Sequence, residues 1–158
     1  METSRQRLLE AVATASREFQ RSVDAVDDAV AKQLGVNRTD LRTLDVLYDG
    51  PTTPSALAAA TGMSPAAMTA ALDRLEGRGY VRRVRDTADR RRILVEGTEK
   101  MRRAAGQLYG PIAAEGAEFV SRYTDEELTL LGEFLRTSKE LQDRHRARIA
   151  RDQAAQHP

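Results

Sequence analysis

Two helix starts of the same construction stand close together in the chain, Thr53-Pro54 and Ser64-Pro65. In each, a hydroxyl side chain can accept from backbone amides that have no helical partner. The proline beside it is pre-set for helical φ and lacks only an N–H that would be free anyway. Thr61-Gly62 falls between the two starts and ends the first helix, because glycine takes the left-handed cap conformation at little cost. In the second helix Met68, Ala71, Leu72 and Leu75 recur at i, i+3, i+4 and i+7, an inward apolar stripe, and Gly77-Arg78-Gly79 ends it. Two short capped helices joined by a tight glycine-containing turn are a helix-turn-helix.

The flanks complete a mainly α fold with a small β-hairpin. Upstream, Leu8, Val12, Ala15, Phe19, Val23, Val26 and Val30 trace a near-heptad seam that ends at Leu34-Gly35. A seam of that length calls for a partner helix, in the chain or in a second copy of it. Asn37 is placed to cap a further helix, with Asp40 three residues on and Leu41, Leu44 and Leu47 facing inward, and Asp49-Gly50-Pro51 stops it. Downstream, Tyr80–Arg85 and Arg90–Val95 are β-prone runs around the polar turn Asp86–Asp89, a hairpin. After Thr98 a helical pattern resumes through Met101, Ala105, Leu108 and Ile112, with a kink or break expected at Gly110-Pro111. Thr124 and Glu127 form a capping box that launches Leu128, Leu131, Leu135 and Leu141. Arg144 to Pro158 reads as a fraying polar tail.

Composition excludes several kinds of chemistry. The 158 residues contain no cysteine, so disulfides, thiolate metal sites and thiol redox switches are ruled out. The two histidines, His145 and His157, both lie in the last stretch of chain and are too few for a histidine-rich zinc site. Neither metal nor cofactor is implied. No nucleophile–base pair, glycine-rich phosphate loop or spaced carboxylate pair emerges, so the chain does not read as an enzyme. The opening METSRQRLLEAVATASREFQ has no signal-peptide core and nowhere do 18 apolar residues run together, so the expectation is a cytoplasmic protein without a membrane partner.

The formal net charge of +1 conceals a segregation. Residues 74–103 hold eleven basic and five acidic side chains, whereas residues 1–50 hold seven and nine, and residues 104–158 likewise seven and nine. A basic middle third between weakly acidic helical ends is an electrostatic footprint for a polyanion. On the second helix of the helix-turn-helix, the face opposite the apolar stripe shows Ala66, Ala70 and Asp73, flanked by Thr69 and Arg74. A helix fits the DNA major groove, and small residues near its start let it enter deeply. Ser64 and Thr69 are candidate donors to base edges or phosphates. Ala66, Ala67 and Ala70 are candidates for thymine methyls, and Arg74 for phosphate or guanine. So few polar readers imply that indirect readout matters.

Four stretches carry a resemblance: Asn37-Arg-Thr-Asp-Leu-Arg-Thr-Leu-Asp-Val-Leu47, Leu57-Ala-Ala-Ala-Thr-Gly-Met-Ser64, Leu72-Asp-Arg-Leu-Glu-Gly-Arg-Gly-Tyr-Val-Arg82 and Asp86-Thr-Ala-Asp-Arg-Arg91. Residues 36–101 resemble the MarR (multiple antibiotic resistance) family of winged helix-turn-helix transcriptional regulators. One departure stands after the wing: family members continue with a Leu-Thr pair and a glycine three residues after the Thr, where this chain has Gly97-Thr98 and Met101. The resemblance implies a winged helix-turn-helix with N- and C-terminal dimerisation helices. Residues 1–35 would be the N-terminal dimerisation helix and 36–97 the DNA-binding lobe, with recognition helix 64–77 and wing 81–95. Residues 98–148 would be the C-terminal dimerisation helices, and 149–158 the polar tail.

The same resemblance gives roles to the wing. Arg91 matches the arginine inserted into the minor groove, Asp89 the acid that orients it, and Arg90 a phosphate contact. It also implies a homodimer with Leu8, Val12, Phe19, Leu128, Leu131 and Leu135 at the interface, on a pseudo-palindromic operator in double-stranded DNA. A small aromatic or phenolic effector is implied too, for which Arg17, Phe19, Tyr48 and Tyr109 are candidate pocket residues. The expected function is a transcriptional repressor. The alternative is a winged-helix protein-interaction module that does not bind specific DNA.

Overall fold

The computed structural model describes residues 3–156. It contains six helices and one antiparallel hairpin: α1 (Ser4–Leu34), α2 (Arg38–Tyr48), α3 (Pro54–Thr61), α4 (Pro65–Gly77), β1 (Val81–Arg85), β2 (Ile93–Gly97), α5 (Glu99–Val120) and α6 (Asp125–Gln156). The chain divides into two compact units, Met1–Gly110 and Pro111–Pro158. No described helix is long and apolar enough to cross a membrane.

In the first unit the caps act where the side-chain chemistry requires them. The Thr53 and Ser64 hydroxyls accept from Ala56 N at 3.2 Å and Ala67 N at 3.2 Å, and Asn37 Oδ1 accepts from Asp40 N at 2.8 Å. Gly62, at φ 74°, turns the chain between α3 and α4, and Gly35, at φ 67°, ends α1. Met68, Ala71, Leu72 and Leu75 of α4 are buried against Leu44 and Leu47 of α2, Leu57 of α3, Tyr80, Val81, Val95 and Met101. A second, smaller cluster joins Val30 and Ala31 of α1 to Leu41 of α2, with Val26, Leu108 and Tyr109 packed on it.

The hairpin pairs Val81 with Gly97 and Arg85 with Ile93. Its second strand begins three residues later than the sequence suggests, because the turn folds on its own side chains. Asp86 Oδ1 accepts from Ala88 N at 2.8 Å and Asp89 Oδ1 from Arg91 N at 3.0 Å, and Asp86 N donates to Arg92 O at 3.0 Å. Arg90 and Arg91 therefore lie in the turn and not on a strand. Thr52 adds a single bridging residue to the sheet, exchanging both backbone bonds with Val95. One residue is too short to leave an alternating pattern in the sequence.

Two helix ends also differ from expectation. α5 runs unbroken through Pro111, although the missing N–H removes one helical bond, and the boundary between the two compact units falls at that proline. α6 starts at the expected capping box, with Thr124 N donating to Glu127 Oε2 at 2.9 Å and Glu127 N to Thr124 Oγ1 at 3.2 Å. It continues to Gln156, so residues 149–156 are helix and not tail. Its last four turns contain neither glycine nor proline, and pairs such as Lys139–Asp143 at 2.6 Å and Arg144–Glu140 at 3.8 Å have helix-stabilising spacing. His157 lies outside the described residues. His145 stands on α6 with Nδ1 2.7 Å from Arg148.

The departure at Gly97 has a packing explanation. A Cβ at position 97 would fall inside the envelope of Met101 Sδ and Cε, so the Met101 side chain occupies space that a side chain at 97 would fill. The lack of a side chain at 97 is thus what admits the Met101 thioether. Gly97→Leu is expected to lower stability by about 1–3 kcal/mol through overpacking, and adding Met101→Ala to recover part of that loss. Urea denaturation of the single and double variants checks it; a Gly97→Leu protein as stable as the parent would place Met101 elsewhere.

Candidate nucleic-acid interface

The burial of one α4 face fixes which residues face out. Ser64, Ala66, Ala67, Thr69 and Ala70 are all exposed, forming a surface of small side chains along the first two turns. Ser64 uses its oxygen to cap the helix and keeps its O–H free to donate. Thr69 donates to Pro65 O at 3.0 Å, leaving its lone pairs and methyl for a ligand. The α4 face is thus short in reach and low in hydrogen-bond donors.

Arg74 is placed otherwise than the sequence suggests. Its Nε and Nη2 lie 3.1 Å and 2.6 Å from the two carboxylate oxygens of Asp40, a bidentate fork and not a free arm. Asp73, on the outward face, is paired with Arg83 at 2.6 Å, and Arg83 also bonds both oxygens of Glu76, through its backbone N–H and its guanidinium. The Asp40 fork therefore ties α4 to α2, and Arg83 ties it to β1. The sequence places Asp40 at the start of α2 and alternates Arg82, Arg83 and Arg85 along a strand, so that some of them pair with acids, but it does not name the partners, since residues 34 and about ten apart leave no periodic signal.

The wing concentrates unpaired charge. Arg82 pairs with Glu96 and Arg92 lies 3.9 Å from Asp86. Arg85, Arg90 and Arg91 are exposed and have no ion-pair partner among the described residues. Asp89 acts on Arg91 through the backbone, holding its N–H and leaving the guanidinium free. This differs from a side-chain clamp, yet it still orients the residue by fixing the turn.

The expected pocket residues are not brought together. Arg17 bonds Thr14 at 3.0 Å, while Phe19 and Tyr48 are two-thirds exposed and take no part in the cluster around Tyr109. Tyr109 is half-buried and donates to Asp27 at 3.0 Å. Burial first, and then the Asp27 carboxylate, push its phenol up to about 12. Close by in the fold, Arg38 grips Asp24 at 2.8 Å and Asp28 at 3.0 Å. Burial, with Asp49 and Asp27, raises the carboxyl of Asp45 above its ordinary range. The spacing Asp24, Asp27, Asp28 on one helix face was the available signal for this polar junction.

The proposed interface residues lie on bare helix faces. On α1, in the first unit, Leu8, Val12 and Phe19 are exposed, whereas Val26 and Val30 further along the same seam are covered within that unit. On α6, in the second unit, Leu131 and Leu135 are exposed together with Phe134, Leu141 and Ile149, and Leu128 is half-buried.

A model of the MarR family matches residues 34–92. The uncharacterized HTH-type transcriptional regulator YcgE of Bacillus subtilis (strain 168) is 34% identical over 122 residues, 77% of this chain and 79% of that protein. The crystal structure of RV1404 from Mycobacterium tuberculosis matches with a TM-score of 0.62 and 26% identity, covering 89% of this chain and 95% of the other. The structure of NadR in complex with 4-hydroxyphenylacetate matches with a TM-score of 0.58 and 18% identity, covering 78% and 89%, a likeness of fold.

Tyr109 supplies a pH test. Its folded pKa lies above the ordinary tyrosine value near 10, so the stability it contributes is complete below that pH and is lost as pH rises toward about 12. The phenolate absorbance that Tyr109→Phe removes should be a late-titrating part of the parent's curve. Asp27→Asn should lower that value only part of the way, because burial is the larger cause. A Tyr109 phenol titrating at the ordinary tyrosine value would remove the Tyr109–Asp27 contact.

Proposed function

The chain belongs to the MarR family of transcriptional regulators, and on that premise we propose that it is a sequence-specific double-stranded-DNA-binding repressor. It acts as a homodimer on a pseudo-palindromic operator in the cytoplasm, by occupying promoter DNA and without catalysis. The observation that carries this reading is the placement of charge. Arg85, Arg90 and Arg91 stand unpaired and exposed at the wing, while the outward face of α4 is small enough to enter a major groove. Arg91 enters the minor groove, where a narrow A·T-rich tract concentrates negative potential, and Arg90 contacts phosphate. Asp89 sets the turn that presents them. Ser64, Ala66, Ala67, Thr69 and Ala70 meet base edges and backbone.

The bare apolar faces of α1 and α6 support the homodimer, since exposed stripes of this length mark an association surface. A C2 pair places two recognition helices about 10 base pairs apart, which is the reason for a pseudo-palindrome. Release by a small aromatic or phenolic effector is part of the same reading; NadR, a neighbour in fold, is in complex with one such molecule, 4-hydroxyphenylacetate. The junction around Tyr109, Asp27 and Arg38 is where such a molecule would compete for polar partners in this chain.

Selection of genomic fragments with purified protein, followed by binding across a salt series, tests the reading. The expected result is an enriched pseudo-palindrome whose affinity falls steeply with salt. Arg90→Ala should flatten the slope by about one, and Arg91→Ala should weaken binding about tenfold or more with relaxed A·T preference. Enrichment of nothing, with only weak sequence-blind binding at low salt, would instead favour a winged-helix module that binds protein. Sedimentation at micromolar concentration should give twice the 17.5 kDa chain mass, and Leu135→Glu should shift it toward monomer.

A further inference from the structure

Asp40 is a charged side chain that solvent barely reaches, 2% exposed, at the third position of α2. Both its oxygens are taken by the fork of Arg74, whose own side chain remains 45% exposed. The arrangement is one-sided. Arg74 lies at the edge of the surface that would face a ligand, yet withdrawing it would strand a buried carboxylate, a costly state. Apolar contacts along the α4 stripe set which face is buried and hold it by close packing, but the burial term itself is non-directional. Two hydrogen bonds from one planar guanidinium fix a distance and an angle together. The fork is thus the directional link between α4 and α2, and α2 in its turn is tied to α1 by Arg38.

We infer that Asp40 and Arg74 are positioning residues for DNA recognition: their fork holds α4 at the depth and tilt from which its small outward face reads the groove, and neither makes a DNA contact. This rests on the DNA-binding reading above. It assigns Arg74 a different role from the phosphate or guanine contact that its sequence position suggests.

The test uses the full chain and the DNA fragment enriched by the selection. Asp40→Asn, Arg74→Lys, Arg74→Gln and the Asp40→Asn/Arg74→Lys double variant are compared with the parent across a salt series, below the melting temperature of each. Lysine keeps a charge for a phosphate but cannot form the fork. Positioning predicts that Asp40→Asn and Arg74→Lys each weaken specific binding about tenfold or more, with the salt slope unchanged. It also predicts that the double variant is no weaker than the weaker single one. Arg74→Lys binding like the parent, or Arg74→Gln flattening the slope by about one while Asp40→Asn binds normally, would overturn it in favour of a phosphate contact. If Asp40→Asn does not fold, Arg74→Lys against Arg74→Gln still decides: equal losses at constant slope support positioning, and retention by lysine alone overturns it. A parent protein that enriches no DNA fails the DNA-binding reading, and this inference with it, before any variant is compared.

Discussion

The burial of Met68, Ala71, Leu72 and Leu75 from one face of a thirteen-residue helix is the constraint on which the rest depends. Each large side chain removed from water contributes about 1.5–3 kcal/mol, and a helix with a single apolar stripe has one rotation about its axis that collects all of it. That rotation puts Ala66, Ala67 and Ala70 outward without any further interaction. The two capped starts before α3 and α4 then fix where each helix begins, and Gly62 supplies the left-handed residue that lets the pair fold back within three residues.

Net charge is a poor guide to where this chain meets a polyanion, because most of the basic middle third is spent internally. Arg74, Arg82, Arg83, Arg92, Arg102 and Arg103 all have carboxylate partners. Apart from Arg74 on the buried Asp40, these pairs are exposed or partly so and add little stability, but all of them cancel field. Among the described residues the uncancelled arginines of that third are Arg85, Arg90 and Arg91 on the wing and Arg78 just past the end of α4, so three of the four are gathered on a narrow hairpin.

Features written in neighbouring residues were legible in the sequence. The caps at Asn37, Thr53, Ser64 and Thr124, the glycine ends at Gly35 and Gly62 and the α4 stripe each follow from side chains within four residues, and the structure places these as read. What escaped depends on contacts across the chain or on local competition. The Asp40–Arg74 fork joins residues far apart, so nothing in the pattern separated a tethered arginine from a free one. The second strand was misplaced because Asp86 and Asp89 bond the turn backbone and outcompete the ladder for Arg90–Arg92. At Pro111 a kink or break was expected and at the end of α6 a fraying tail, but one lost bond does not stop α5, and α6 continues without glycine or proline and with i,i+4 charge pairs that support it. Gly97 and Met101 stood in the sequence as one departure without a cause; their side-by-side placement supplies it, because the Met101 thioether occupies the space a side chain at 97 would need.

The shortness of the outward α4 side chains explains why positioning matters so much in the proposed recognition. A long arginine or glutamine can follow a base edge through several ångströms by changing rotamer. An alanine methyl has no such reach, and a gap of 0.5–1 Å already forfeits about a quarter to a half of a van der Waals contact. A recognition surface of alanines therefore works only if the backbone carrying it is held to sub-ångström tolerance. A guanidinium seated on a buried carboxylate adds a directional restraint to close apolar packing, and Arg83 on Asp73 and Glu76 braces the same helix from β1. Taking readers away from the surface and placing charge behind it are, in this fold, two halves of one solution.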